Sequence, residues 1–148
     1  MLLPAFDVSG DLHPGIHRAT IPEAMARFGA GSPQRLAVAQ RLERIFGLAA
    51  ATSQLARFIV LGSFVTAKPE PNDVDVLLLM DDAFDIDQIS GETRLLFDHA
   101  AAQAHFGATV FWLRWVAALG GEQATIEHWQ IRRDGGLRGI VEIVSEAI

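Results

Sequence analysis

Phe58-Ile59-Val60-Leu61-Gly62-Ser63, followed after nine residues by Asp73-Val74-Asp75-Val76-Leu77-Leu78-Leu79-Met80, is the stretch whose reading decides the fold of this chain. Each run is short, apolar and rich in β-formers. Gly62 closes the first, and only Asp75 interrupts the second between Val74 and Met80, so both read as buried strands. The intervening segment, Phe64 to Asn72, carries Lys68, Pro69 and Pro71 and is long enough to bring the second strand alongside the first.

Working outward, Thr20-Ile21-Pro22-Glu23 has the form of a capping box and predicts a short helix to about Arg27, stopped by Gly29-Ala30-Gly31. Ser32-Pro33 is a second helix start. Leu36, Ala39, Leu42, Ile45 and Phe46 then recur at three- and four-residue steps and predict one buried face. Between Ile86 and His105, the spacing of Ile89, Leu95, Leu96, Ala100 and Ala104 predicts a turn broken at Ser90-Gly91 and a longer helix from Glu92, ended by Gly107. Ala108 to Leu113 reads as a third strand and Glu122 to Ile131 as a helix. Gly139 to Val144 reads as a fourth strand after an Asp134-Gly135-Gly136 turn. Residues 1–20 are rich in Pro, Gly, His and Asp and read as an arm over the domain.

The expected architecture is therefore a single α/β domain over 1–148, with a small mixed, twisted sheet of about four or five strands and helices mainly on one face. Half of the 148 residues are hydrophobic and a fifth are charged, enough for one core and a wet exterior. The net charge of −6 argues against bulk DNA binding. Without cysteine there is no disulfide framework, thiolate metal site or cysteine nucleophile. Met1 to Phe6 lacks the basic flank of a signal peptide, and Asp75, Arg114 and Glu127 interrupt the best candidates for a membrane helix. A cytoplasmic, unanchored protein is expected.

Strand residues two apart project to the same side, so Asp73 and Asp75 point together while Val74 and Val76 face the opposite layer. Two adjacent carboxylates in so apolar a strand are costly unless a cation neutralises them, and an all-oxygen donor set suits a hard ion such as Mg²⁺ or Mn²⁺. Gly62-Ser63, at the end of the neighbouring strand, lets a phosphate approach the backbone and offers it a hydroxyl. Lys68 adds a positive charge on the same loop. The alternative is a strand end whose carboxylates simply face solvent.

The string Leu61-Gly62-Ser63, nine residues, then Asp73-Val74-Asp75-Val76 resembles the signature of the DNA polymerase β-like nucleotidyltransferase superfamily, whose small bacterial members include the minimal nucleotidyltransferases of toxin–antitoxin modules. The run from Gly62 to Asp75, with Leu12 to His17 upstream and Gly139-Ile140-Val141 downstream, is also similar to an uncharacterised nucleotidyltransferase-like bacterial family. The resemblance implies Gly62 and Ser63 on the phosphates of a nucleoside triphosphate. It further implies Asp73 and Asp75 as metal ligands and catalytic carboxylates, and transfer of a nucleoside monophosphate to a hydroxyl of a protein or RNA.

The superfamily pattern also places a third carboxylate on a later strand, but Ala108-Thr109-Val110-Phe111-Trp112 contains none, leaving Glu127 or Glu142 to supply it from elsewhere. The second reading is accordingly a binding module, antitoxin-like or regulatory, that turns over slowly or not at all. His13 and His17 read as turn or packing residues because Pro14-Gly15 separates them. His99, His105 and His128 read as surface or partly buried polar residues. Trp112, Trp115 and Trp129 read as core, with base stacking as the functional alternative. Arg132, Arg133 and Arg138 read as a solvated tip, or as contacts to an acidic partner or a triphosphate.

Overall fold

The computed structural model describes residues 3–115, 121, 124, 126, 128–130 and 136–145. Among these residues five strands form one mixed sheet: β1 (Ile16–Ala19), β2 (Leu55–Leu61), β3 (Val74–Met80), β4 (Ala108–Arg114) and β5 (Ile140–Ile143), in the spatial order β1-β5-β2-β3-β4. The β1–β5 and β3–β4 pairs are parallel, and β2 runs antiparallel to both β3 and β5. Among the described residues four helices accompany it with full bounds: α1 (Ile21–Phe28), α2 (Pro33–Ala50), α3 (Gly91–Leu95) and α4 (His99–Phe106). The expected mixed α/β fold is observed.

β3 lies between β2 and β4 and is buried on both sides, which is why Val76 to Met80 is a continuous apolar run rather than an alternation. One face, carrying Phe58, Val60, Val76, Leu78, Val110, Val141 and Ile143, packs against Phe28 of α1, Val38, Leu42 and Ile45 of α2 and Phe106 of α4. This is the main core. The other face carries Ile59, Leu77 and Ile140 beneath Ile126 and Trp129. Each fully buried large aliphatic contributes about 1.5–3 kcal/mol, so the two layers hold β3 firmly as the platform for the residues at its start.

The helix starts follow their capping chemistry. Thr20 accepts from the Glu23 amide, and the Glu23 carboxylate accepts from the Thr20 amide at 2.9 Å, completing the predicted box. Ser32 caps α2 by accepting from the Arg35 amide at 3.0 Å. Gly107 ends α4 in the left-handed conformation, φ 63°, which an L side chain rarely adopts.

Three sequence expectations are corrected. The buried stripe of α2 is Arg35, Val38, Ala39, Leu42, Ile45 and Ala49, whereas Leu36 is 48% exposed. A buried arginine occupied the position where periodicity sought an apolar residue. The longer helix expected from Glu92 is two short ones, because Asp98 takes an extended conformation and caps α4 by accepting from the Ala101 amide at 2.9 Å. Ala102 and Phe106, rather than Ala100 and Ala104, then face the core. Finally, the N-terminal arm contains β1, whose partner is the remote β5; nothing local in Ile16-His17-Arg18-Ala19 signals that pairing. The helix expected over 122–131 and the turn at 134–136 lie largely outside the described residues.

Among the described residues, no helix is long and apolar enough to cross a membrane.

Candidate functional site

β2 ends at Leu61, and Gly62 follows with φ 80° and ψ −163°, a region essentially closed to residues with a Cβ. The chain then turns through one short 3-10 segment, Ser63–Val65, closed by the Thr66 amide donating to the Ser63 carbonyl at 3.1 Å. The Thr66 hydroxyl also donates to that carbonyl, at 2.7 Å, and accepts from the Lys68 amide at 3.2 Å. The Ser63 hydroxyl makes no hydrogen bond among the described residues.

Arg35 holds this turn from below. Its guanidinium donates to the carbonyls of Phe28 and Phe64, each at 2.9 Å, of Thr66 at 2.6 Å and of Lys68 at 2.5 Å. The guanidinium also lies 5.7 Å from the Phe64 ring centroid, and that ring is buried against Phe28. Burial pushes the Arg35 pKa down. One α2 side chain therefore satisfies four carbonyls, three of them in the loop after Gly62, and fixes its path. Sequence reasoning missed Arg35, and a lone arginine within an apolar helical stripe is the only signal that marked it.

Asp75 lies opposite Leu61 in the antiparallel β2–β3 ladder, which brings it beside Gly62. A Cβ built on Gly62 would overlap Asp75 Oδ2 and lie 3.0 Å from Asp75 Cγ. Asp73 precedes β3, and its Oδ2 accepts from the Thr109 hydroxyl at 3.1 Å; Gln103 Nε2 in turn donates to Thr109 Oγ1 at 3.4 Å. Val74 and Val76 point into the main core, as expected, so the two half-buried aspartates project from the opposite face. Gly62 and Asp75 thus abut at one end of the sheet, where Ser63 begins the turn and Asp73 leads into β3.

Lys68 and Ser63 line a groove of about 380 Å³ whose other wall is the N-terminal arm, Ser9-Gly10-Asp11, together with Arg138. The arm is tied in place by the Ala67 amide donating to the Gly10 carbonyl at 2.8 Å. Arg138 Nε lies 3.7 Å from Asp11 Oδ1, so of the three arginines considered from sequence this one reaches the groove. Arg132 and Arg133 lie outside the described residues.

Among the described residues, no third acid stands beside the pair. The β4 residue adjacent to Asp75 is Thr109. Glu142 is excluded by its partners: Arg57 Nε at 2.9 Å, Arg57 Nη2 at 2.7 Å and Arg18 Nε at 3.2 Å occupy its carboxylate on β5. Glu127 lies outside the described residues. Among the described residues, no group of three or more histidine, aspartate or glutamate side chains is placed to hold a metal ion.

The other candidates take local roles. The His13 and His17 rings meet edge to face at 4.5 Å, with His17 Nε2 2.8 Å from the His13 carbonyl oxygen. Trp112 Nε1 donates to the Phe97 carbonyl at 3.1 Å, and its ring packs against Phe84 and Phe97 in the core. Trp129 packs on Phe111 at 4.7 Å. His99 also lies on Phe111, and Trp115 is 42% exposed.

Residues 4–144 match a family of unknown function, DUF6932. The chain belongs to DUF6932. The match takes in the arm, the Gly62-Ser63 turn, Asp73, Asp75 and β5, so every element that builds the site lies within the DUF6932 domain. No curated protein and no solved structure matches the chain.

Proposed function

We propose that the end of the sheet carrying Gly62, Ser63, Asp73 and Asp75 binds a nucleoside triphosphate with Mg²⁺ or Mn²⁺. In this reading the protein moves the nucleoside monophosphate onto a hydroxyl of a protein or RNA acceptor. The observation that carries the reading is the pairing of Leu61 with Asp75, which brings a glycine-serine turn and two carboxylates together at the same end of the sheet.

The donor set fits such an ion. Mg²⁺ is commonly held by one or two carboxylates, its other positions going to water and substrate phosphates, and Asp73 and Asp75 meet that minimum. The Thr109 hydrogen bond orients the Asp73 carboxylate, as an outer-shell donor does around a metal ligand. When bound, the ion supplies charge neutralisation on the phosphates and alignment of the acceptor hydroxyl. Ser63 offers a hydroxyl to a phosphate oxygen, and Lys68 and Arg138 provide positive charge along the adjoining groove. The β2–β3 ladder and Arg35 hold these groups in register before any ligand arrives.

Thr109 favours a second reading. A hydroxyl beside Asp75 accepts no proton at neutral pH and adds no negative charge for another metal ion, so the same site suits an antitoxin-like or regulatory module that binds nucleotide with little turnover.

The deciding experiment incubates wild type and Asp75→Asn with labelled nucleoside triphosphates, Mg²⁺ or Mn²⁺ and protein and RNA acceptors, with calorimetric binding in parallel. Transfer by wild type alone is the expected result. Metal-dependent binding without transfer would select the module, and equal behaviour of both proteins would remove Asp75 from the function.

A further inference from the structure

A second polar groove, of about 330 Å³, lies between α2 and α4 and is lined by Arg41, Arg44, Glu92, His105 and Gly107. Gly107 leads directly into Ala108, which pairs with Val74, so the groove opens at the Asp73 end of the sheet. The helices that form it cover the opposite face, and none of its lining residues belongs to the site described above.

The charges in this groove do not cancel. Arg44 donates to Glu92 through Nε at 2.8 Å and also through Nη2, while His105 Nε2 lies 2.9 Å from Glu92 Oε2. One carboxylate is therefore shared by an arginine and a histidine. Arg41 has no carboxylate within ion-pair distance among the described residues. Two guanidinium groups and one carboxylate leave one net positive charge in a chain whose net charge is −6.

The position of Arg41 is built into the backbone. Gly107 adopts φ +63°, and a Cβ there would lie 3.0 Å from Arg41 Nη1 and 3.3 Å from Cζ. The absent side chain gives the guanidinium its place against the end of α4. The partial negative charge of that helix terminus favours a cation there, but it does not account for Arg44 and His105 converging on the same groove.

We propose that this groove binds a phosphate group, with Arg41 supplying the uncompensated charge, Arg44 Nη1 a flanking donor and His105 lining the wall. Planar guanidinium forks match the oxygens of a phosphate. The phosphate belongs to a free phosphate or phosphomonoester, or to the phosphodiester backbone of a nucleotide chain. The site does not depend on the nucleotidyltransferase reading.

The test is a proton NMR titration following the His105 ring, in metal-free buffer containing EDTA at constant ionic strength. The ligands are inorganic phosphate, adenosine monophosphate, a short oligouridylate with hydroxyl ends, and a glutamate hexapeptide. At least one phosphate-bearing ligand should shift the His105 resonance saturably, and Arg41→Gln should weaken that binding about tenfold, as expected for loss of a charge-assisted contact. Arg41→Lys should retain part of it. Saturation by phosphate or the monophosphate alone assigns a free phosphate or phosphomonoester, and tighter binding of the oligonucleotide assigns a nucleotide chain. The proposal is overturned if no phosphate ligand shifts His105 in wild type, if Arg41→Gln binds as wild type does, or if the glutamate peptide binds equally well. The wild-type titration retains its force if Arg41→Gln fails to fold.

Discussion

Gly62 and Asp75 occupy each other's space: the Asp75 carboxylate lies where any side chain at position 62 would begin. The two residues are brought together by the antiparallel register that sets Leu61 opposite Asp75. The glycine is therefore required twice, by its φ of 80° and by the carboxylate against it. A turn that opens space for an acidic group is what a phosphate and metal site asks of its backbone.

Gly62→Ala should accordingly lower stability by about 1–3 kcal/mol from backbone strain alone, or roughly 2–12 °C in melting temperature. It should also displace Asp75 and abolish Mg²⁺-linked nucleotide binding. In Gly62→Ala/Asp75→Gly the overlap is relieved but the strained φ remains, so part of the melting temperature should return without the binding. Thermal denaturation and calorimetry on the same samples check both effects; wild-type binding by Gly62→Ala would show that this juxtaposition is not functional.

Thr109→Asp places a carboxylate next to Asp75 on β4 and removes the hydroxyl that donates to Asp73. Without metal, like charges should lower the melting temperature. With Mg²⁺ the loss should reverse, and metal affinity should rise about tenfold because ligand charge count tunes such sites. Melting curves and calorimetry with and without Mg²⁺ decide the matter. Unchanged metal affinity would mean that Asp73 and Asp75 do not form the start of a metal site.

Arg35→Met leaves the carbonyls of Phe28, Phe64, Thr66 and Lys68 without their shared donor. A loss of about 3 kcal/mol is expected in urea unfolding, since buried acceptors deprived of a charged donor cost on this order. Arg35→Lys should recover only part of it, because an ammonium cannot reproduce the planar fork. Nucleotide binding should weaken in both variants even where they are folded, as the Ser63 turn loses its support.

Glu92 gives a pH-dependent signature. The Arg44 hydrogen bond, then that of His105, holds its pKa below the ordinary 4.5. A carboxylate whose folded-state pKa is depressed stabilises the fold fully above its unfolded pKa, and that contribution is lost as pH falls through the lower folded value. Wild type should therefore exceed Glu92→Gln in stability near neutrality, with the difference closing in the acid range below about pH 4. Denaturant unfolding of both proteins across that range measures the gap, and a difference independent of pH would exclude ionisation of Glu92 as its source.

Much of this protein is legible locally. The two apolar runs around Gly62 and Asp75 announce strands, and Thr20-Ile21-Pro22-Glu23 announces a helix start, because capping and strand burial are properties of a few adjacent residues. The parity of the strand alone sets Asp73 and Asp75 on one side and Val74 and Val76 on the other. What the sequence conceals is long-range. Arg35 interrupts the apolar stripe of α2 because its partners are carbonyls, which carry no identity in the sequence. Glu142 stands with Glu127 in the sequence as a candidate for the third acid, until Arg57 and Arg18 close on it.

By itself, then, the sequence determined the mixed α/β character and the shared direction of the two aspartates, since both follow from side-chain periodicity. Only the tertiary structure decided that β1 pairs with β5, that Gly62 abuts Asp75, that Thr109 stands where a third acid was sought and that Arg41 rests on Gly107. Those relationships depend on register between remote segments, and register is set by packing the whole core at once.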